Sequence, residues 1–316
     1  HRCPGIARKQ IEAGGTVGGV TCSKLSEAEV MVAGGISDVL IANQIAGRQR
    51  IGKLIDLGRK ADVAVAVDNA QNIRDLAAAA SADGRVLGVL VEIDVGLGRC
   101  GVRSIEDAVV LARLVRSLKG VEFRGLQGYE GHLVNVADRG EREAAVACDA
   151  AVLLAARKEL ASVGIDVPLI SGGGTGTYDI TSRIDGINEI QAGSYVFMDT
   201  NYRKVLREFD CALFLLTTVV SVPEKGLIIT DSGLKSLATD QGALPQPVGF
   251  AAKPLVCHEE HTLIRSQESG RFKIGDRIRL IVGHACTTVN LHDYYYCVRG
   301  DKVQDVWAIE ARGKCQ

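Results

Sequence analysis

The sequence predicts an α/β fold: a TIM-type (β/α)8 barrel whose first strand is missing from the chain, followed by an all-β C-terminal domain. Three observations carry that prediction. Strand-like and helix-like segments alternate from the start of the chain to about residue 190, which means a parallel sheet with helical crossovers. The strands are apolar throughout, as VAVAV at 63–67 illustrates, and this suits strands covered on both faces. Beyond about Arg207 the helical periodicity stops and short β-rich runs take over.

In order, Pro4–Gly14 reads as a helix, with Ala7 and Ile11 on one face. Val17–Cys22 is a short strand, and Ser26-Glu-Ala-Glu29 has the form of a capping box opening the next helix. Strands follow at Asp38–Ala42, Val63–Val67, Val86–Ile93, Phe123–Gly128, Val167–Ile170 and Ile187–Ile190. Helices intervene over Arg48–Lys60, Ala70–Ala82, Ser104–Leu118 and Arg139–Val163. That makes seven strands where the barrel needs eight. Because the chain opens in a helix, the missing strand is expected ahead of His1. Cys211–Val222, Gly226–Thr230, Arg277–Val282, Tyr294–Val298 and Lys302–Ile309 then form the β domain, separated by Gly, Pro, Asp and Asn turns. The expected boundary lies between residues 206 and 207, giving domains 1–206 and 207–316.

Composition narrows the function classes. Of the 316 residues, 47% are hydrophobic and 24% charged, and the net charge is −1. Nothing there points to nucleic acid or an anionic membrane surface, and no apolar run approaches a membrane span. Nine cysteines without regular spacing suggest free thiols in a reducing compartment, so a cytoplasmic location is expected.

Four constellations could carry chemistry. The stretch PLISGGGTGTYD at 168–179 puts a Gly-rich turn after strand seven, where barrels commonly hold a phosphate. The alternative is a flexible turn, which that position outweighs. Ala192-Gly-Ser-Tyr195 would follow strand eight beside it. His284-Ala-Cys286, if extended, points two side chains the same way. Such a pair either grips a zinc-like ion in an open site or is an ordinary loop His with a small Cys. Gln127-Gly-Tyr129-Glu-Gly-His132 ends strand six, so His132 is either a general base or a partner for a loop carbonyl. In Glu92-Ile-Asp94-Val-Gly-Leu-Gly-Arg99, Asp94 and Arg99 either orient a ligand or close the loop as an ion pair. Lys235, in DSGLK, reads as a surface lysine flanking a turn.

Taken together, SGGGTGTYD, QAGSYVFMD, GYEGH, VEIDVGLGRCGV, DSGLK and HACTTVNLHD resemble the D-threonine aldolase and D-serine dehydratase family. The resemblance covers essentially the whole chain. It implies a pyridoxal-phosphate enzyme of the alanine-racemase fold type with a divalent metal (Mn, Mg or Zn) and a homodimeric assembly. By position it implies that Gly173, Gly174, Thr175, Gly193, Ser194 and Tyr195 hold the cofactor phosphate. His284 and Cys286 would bind the metal. His132 would be the base, Arg99 would lie near the cofactor ring, and Tyr129 would flank the site. The family's Schiff-base lysine is expected just upstream of residue 1. The substrate implied is a small D-β-hydroxy amino acid, with no nucleic-acid or membrane partner. More of the chain is similar to the aldolase branch (D-threonine to glycine and acetaldehyde), whereas Cys286 is similar to the D-serine dehydratase branch. A non-enzymatic pyridoxal-phosphate carrier would need neither the β domain nor a metal pair.

Overall fold

The computed structural model describes residues 1–14 and 18–316. The chain forms two compact units, Cys3–Ala192 with Lys314–Gln316, and His1–Arg2 with Gly193–Gly313.

The first unit is wound as the alternation requires. Its elements are α1 (Pro4–Glu12), β1 (Val20–Cys22), α2 (Leu25–Ala33), β2 (Asp38–Ile41), α3 (Arg48–Gly58), β3 (Asp62–Val67) and α4 (Ala70–Ala82). They continue with β4 (Leu87–Glu92), α5 (Ile105–Ser117), β5 (Val121–Gly128), α6 (Arg139–Ser162), β6 (Leu169–Gly172), the single turn α7 (Tyr178–Thr181) and β7 (Glu189–Ile190). The first expected strand is shorter than read, and its start at Val17 lies outside the described residues.

The seven strands lie side by side in chain order, and each is parallel to the next. Alternation gives the sheet two faces. Val39, Ile41, Val63, Val65, Val67, Val89 and Val91 join the main core with helix residues such as Leu54, Leu76 and Val115. Leu40, Ala64 and Leu90 face the other way and cluster with Ala42 and Leu169. A cluster linking β2, β3, β4 and β6 on one face requires the sheet to curl around it, as a barrel wall does.

Two local details differ from the sequence reading. The capping box sits two residues earlier than Ser26-x-x-Glu29, on Lys24 and Glu27. The Glu27 carboxylate accepts from the Ser23 and Lys24 amides and from the Ser23 hydroxyl, while Ser26 donates to the Gln316 carbonyl. The better acceptor is the glutamate that reaches back over the first turn. The second detail is a register break in β5 opposite Val89 and Leu90. A strand with one extra residue exchanges its faces. Phe123 packs on the main core, and beyond the break so does Leu126. Gln127 therefore turns to the inner face. Gly125 lies at that break with φ 148°, and a Cβ there would stand 1.9 Å from the Leu169 carbonyl oxygen.

The second unit is β-rich. Its strands are β8 (Phe214–Glu224), β9 (Leu227–Thr230), β10 (Gln246–Pro247), β11 (Val256–Cys257), β12 (Thr262–Arg265) and β13 (Arg277–Ile281), then β14 (Tyr294–Arg299) and β15 (Lys302–Ala308). The first six form one sheet in the order β10-β13-β8-β9-β12-β11, and the last two form a hairpin. All of these pairings are antiparallel. Val219, Ile228, Leu237, Ile264, Ile278 and Leu280 make the core. One short helix, α8 (Ala285–Val289), interrupts the β pattern. No helix among the described residues is long and apolar enough to cross a membrane.

Candidate active site

In the barrel unit, the ends of β4 to β7 place polar side chains on the inner face. Glu92 is buried and takes a hydrogen bond from Gln44. Ser171 donates to Glu189 at 2.5 Å, and Gln191 donates to Ser171 at 2.7 Å and to Gln127 at 3.1 Å. Burial pushes the Glu92 carboxyl above its usual range against the pull of Gln44 and Arg99. Burial likewise raises Glu189. Polar groups at this depth are satisfied by one another, as low dielectric demands.

Arg99 follows β4. Its guanidinium stands 5.6 Å from the Tyr129 ring centroid and 4.0 Å from a Glu92 oxygen. The sequence pairing of Asp94 with Arg99 is not formed. Asp94 instead pairs with Arg103 and accepts from the Gly96 and Gly98 amides. The carboxylate closes its own loop and leaves Arg99 to Tyr129.

The Gly-rich turn is tied down by a residue the sequence reading passed over. Glu130, 4% exposed, accepts from the Gly173 amide at 3.0 Å and from the Thr177 and Thr181 hydroxyls at 2.9 and 2.6 Å. The Gly174 amide donates to Thr177 Oγ1 at 3.1 Å. Two of the amides expected to face a ligand thus serve the turn itself. Thr175 is buried in it.

His132 lies on the turn after β5. Its Nε2 is 3.3 Å from Asp149 Oδ2 on α6, an arrangement that leaves Nδ1 as the ring nitrogen not facing this carboxyl. Burial raises the Asp149 carboxyl to about 6, with His132 pulling it down and Glu130 pushing it further up. Asp149 Oδ2 has no aligned hydrogen-bond donor among the described residues.

In the second unit, the AGSY and HxC segments come together. Ser194–Val196 is a 3-10 turn, and a Cβ added at Gly193 would meet nothing within 4 Å. That open approach, beside the Ser194 hydroxyl and the amides opening the turn, fits a phosphate. Asp199, fully buried, accepts from the Asn201 and Tyr202 amides at 3.0 and 2.9 Å through Oδ1. Its Oδ2 accepts from the Ala285 amide at 3.0 Å. This one carboxylate joins the end of the AGSY segment to the start of α8. It also caps α8, where an anion is favoured.

His284 is the residue before α8 and Cys286 lies in its first turn. The segment is therefore not extended as the sequence reading supposed. The extended backbone of His284 itself, φ −136° and ψ 117°, nevertheless brings the two side chains into hydrogen-bond contact. That contact first, and the Asp240 bond after it, outweigh burial and raise His284 to about 9. For Cys286, desolvation pushes the thiol up, but hydrogen bonds from His284 and Ser194 and the His284 charge bring it below its usual value. Although crowded by these groups, Cys286 keeps an accessible surface. An accessible low-pKa thiol beside an imidazole is a donor pair for a borderline-soft cation. Among the described residues, no group of three His, Cys, Asp or Glu is arranged to hold a metal. The pair could therefore supply only part of a coordination shell.

His284 Nδ1 meets Asp240 Oδ2 at 2.6 Å, and Thr287 Oγ1 donates to Asp240 Oδ1 at 2.6 Å. The next residue, Gln241, has φ 59°, and Met198, next to Asp199, has φ 51°. Non-glycine residues in this region carry strain that gathers at functional sites. Lys235 pairs with Glu260 on the surface, 65% exposed, and joins no such cluster.

The sequence model of the alanine racemase N-terminal domain matches residues 1–201, and that of the serine dehydratase domain matches residues 212–298. The 3-hydroxy-D-aspartate aldolase of Paracoccus denitrificans is 38% identical over 99% of this chain and 83% of its own. The crystal structure of D-threonine aldolase from Filomicrobium marinum superimposes with a TM-score of 0.96 at 36% identity, over 100% of this chain and 87% of that one. The D-threo-3-hydroxyaspartate dehydratase of Delftia sp. HT23 is 28% identical over 96% of this chain and 86% of its own. The chain therefore belongs to the family of lyases, built on the alanine-racemase fold, that contains the D-threonine aldolases and the D-serine dehydratases.

Proposed function

We propose that this protein is a pyridoxal-phosphate- and metal-dependent aldolase that cleaves D-β-hydroxy amino acids, D-threonine giving glycine and acetaldehyde. The observation that carries the reading is the identity to an aldolase, 38% across 99% of the chain, against 28% to a dehydratase. The cofactor, when bound, supplies an electron sink for the pair released at Cα. Gly193, Ser194 and Tyr195 bind its phosphate at the opening of their 3-10 turn, where Gly193 leaves the approach open. Gly173, Gly174 and Thr175 offer a phosphate close backbone approach and not amide donors, since the Gly173 and Gly174 amides are already engaged. Arg99, lying over Tyr129, orients the ring. His284 and Cys286 hold a divalent cation, manganese, magnesium or zinc, whose chemistry is to polarise the substrate hydroxyl. His132 takes the hydroxyl proton at Nδ1, its Nε2 side being turned to Asp149. As Cα–Cβ breaks, acetaldehyde leaves, and a proton returned to Cα gives glycine. A homodimer, whose mass light scattering would report, is the assembly this reading implies.

One observation favours dehydration instead. Cys286 stands where aldolases of this resemblance more often carry Asp, and its sulfur suits zinc. Product analysis of the full-length holoenzyme separates the two. Glycine and acetaldehyde from D-threonine support the aldolase, whereas ammonia and a keto acid from D-threonine or D-serine would replace it with the dehydratase. We expect EDTA to abolish turnover while cofactor absorbance stays, and metal add-back to restore it. Full activity after dialysis against EDTA, with metal below stoichiometry by elemental analysis, would remove the metal from the reading.

A further inference from the structure

We infer that Asp240 is the positioning residue of the metal centre, holding His284 in the tautomer and orientation that a cation requires. The inference rests on the metal reading of His284 and Cys286 above.

A histidine ligates through an unprotonated nitrogen, and the nitrogen left over is commonly held by a carboxylate that fixes the ring and raises its basicity. Asp240 Oδ2 lies 2.6 Å from His284 Nδ1. A carboxylate only accepts, so in the neutral ring the proton sits on Nδ1 and Nε2 carries the lone pair. His284 is held deep, its side chain 14% exposed, whereas Asp240 is 40% exposed and could swing away if unrestrained. Thr287, one turn along α8, prevents this by donating to the other carboxylate oxygen at 2.6 Å. Both oxygens are thus committed, one to the ligand and one to the helix that carries Cys286. Gln241, held at φ 59°, sets the turn that brings the aspartate into reach. In the sequence Asp240 is only the last residue of DSGLKSLATD, more than forty positions from the histidine it touches.

The test is metal affinity, measured on the full-length protein by competition for zinc with a chromophoric chelator. Asp240→Ala is expected to weaken zinc about 10- to 100-fold. Asp240→Asn can still accept from Nδ1 but lacks the charge, so its loss is smaller. Thr287→Val leaves the carboxylate and loses least. Cobalt(II) provides a second readout, because its thiolate absorption should need a higher cobalt concentration in the Asp240 variants. Circular dichroism checks that each variant is folded, and if Asp240→Ala is not, Asp240→Asn carries the test. Wild-type zinc affinity in a folded Asp240 variant, together with loss in Cys286→Ala, would overturn this inference and leave the metal reading intact. Failure of the wild type itself to bind zinc or cobalt would overturn both.

Discussion

Replacing Glu130 with Ala should be the most damaging single change in the barrel unit. Three buried donors, the Gly173 amide and the Thr177 and Thr181 hydroxyls, converge on this carboxylate. Hydrogen bonds to a charged acceptor contribute about 1.5–3 kcal/mol each, and buried donors left without partners add their desolvation cost. The hydroxyls can rotate to other acceptors, and Thr177 already lies 3.5 Å from the Gly174 carbonyl. The backbone amide cannot. We therefore expect a loss of about 4 kcal/mol, read as a shift in denaturant midpoint at constant m. Glu130→Gln keeps the acceptor for the threonines but turns an NH2 toward a donor, so it should fall between Ala and wild type. Pyridoxal phosphate affinity should fall in the same order, because the turn is what Glu130 shapes. A Glu130→Ala protein with wild-type stability and cofactor affinity would show that the turn is held by its own glycines.

The alternation of strands and helices was legible because it depends on local periodicity alone. Val63 to Val67 announces a doubly covered strand, and β3 is one. Parity within β5 was not legible. A single extra residue decides whether Gln127 faces the helices or the inside of the sheet, and period-2 reasoning has no sign for it. The proposed ligands His284 and Cys286 could be picked out because the pair lies two positions apart inside a segment, HACTTVNLHD, that resembles the family. Their supporting carboxylates could not. Asp199, Asp240, Glu130 and Asp149 reach partners 17 to 86 positions away, and an acidic side chain in a loop or on a helix face ordinarily signals solvent. The one available clue was that Asp199 ends QAGSYVFMD and Glu130 lies inside GYEGH. Asp149 had none, since on the Ala-rich helix α6 it resembles any exposed charge until the fold turns it toward His132.

Asp149→Asn should stabilise the protein while impairing turnover, a combination that separates an orienting carboxylate from a packing residue. The carboxyl is raised from 3.8 to about 6, chiefly by burial. Between these values the native state holds a proton that the unfolded chain has released. Stability therefore falls as pH rises through that window, and the penalty is complete above pH 6. At 1.36 kcal/mol per unit the cost reaches about 3 kcal/mol. Asparagine carries no such penalty. The variant should match wild type near pH 4 and exceed it by up to about 3 kcal/mol above pH 6. A difference independent of pH would mean that the charge is not the cause. Activity should move the other way. Without the carboxylate facing Nε2, the His132 ring loses the partner that orients it. We expect turnover to fall about 10- to 100-fold with cofactor affinity unchanged. If the double variant is no slower than His132→Ala alone, Asp149 acts through His132. If the losses multiply, Asp149 serves turnover by a route other than the His132 ring.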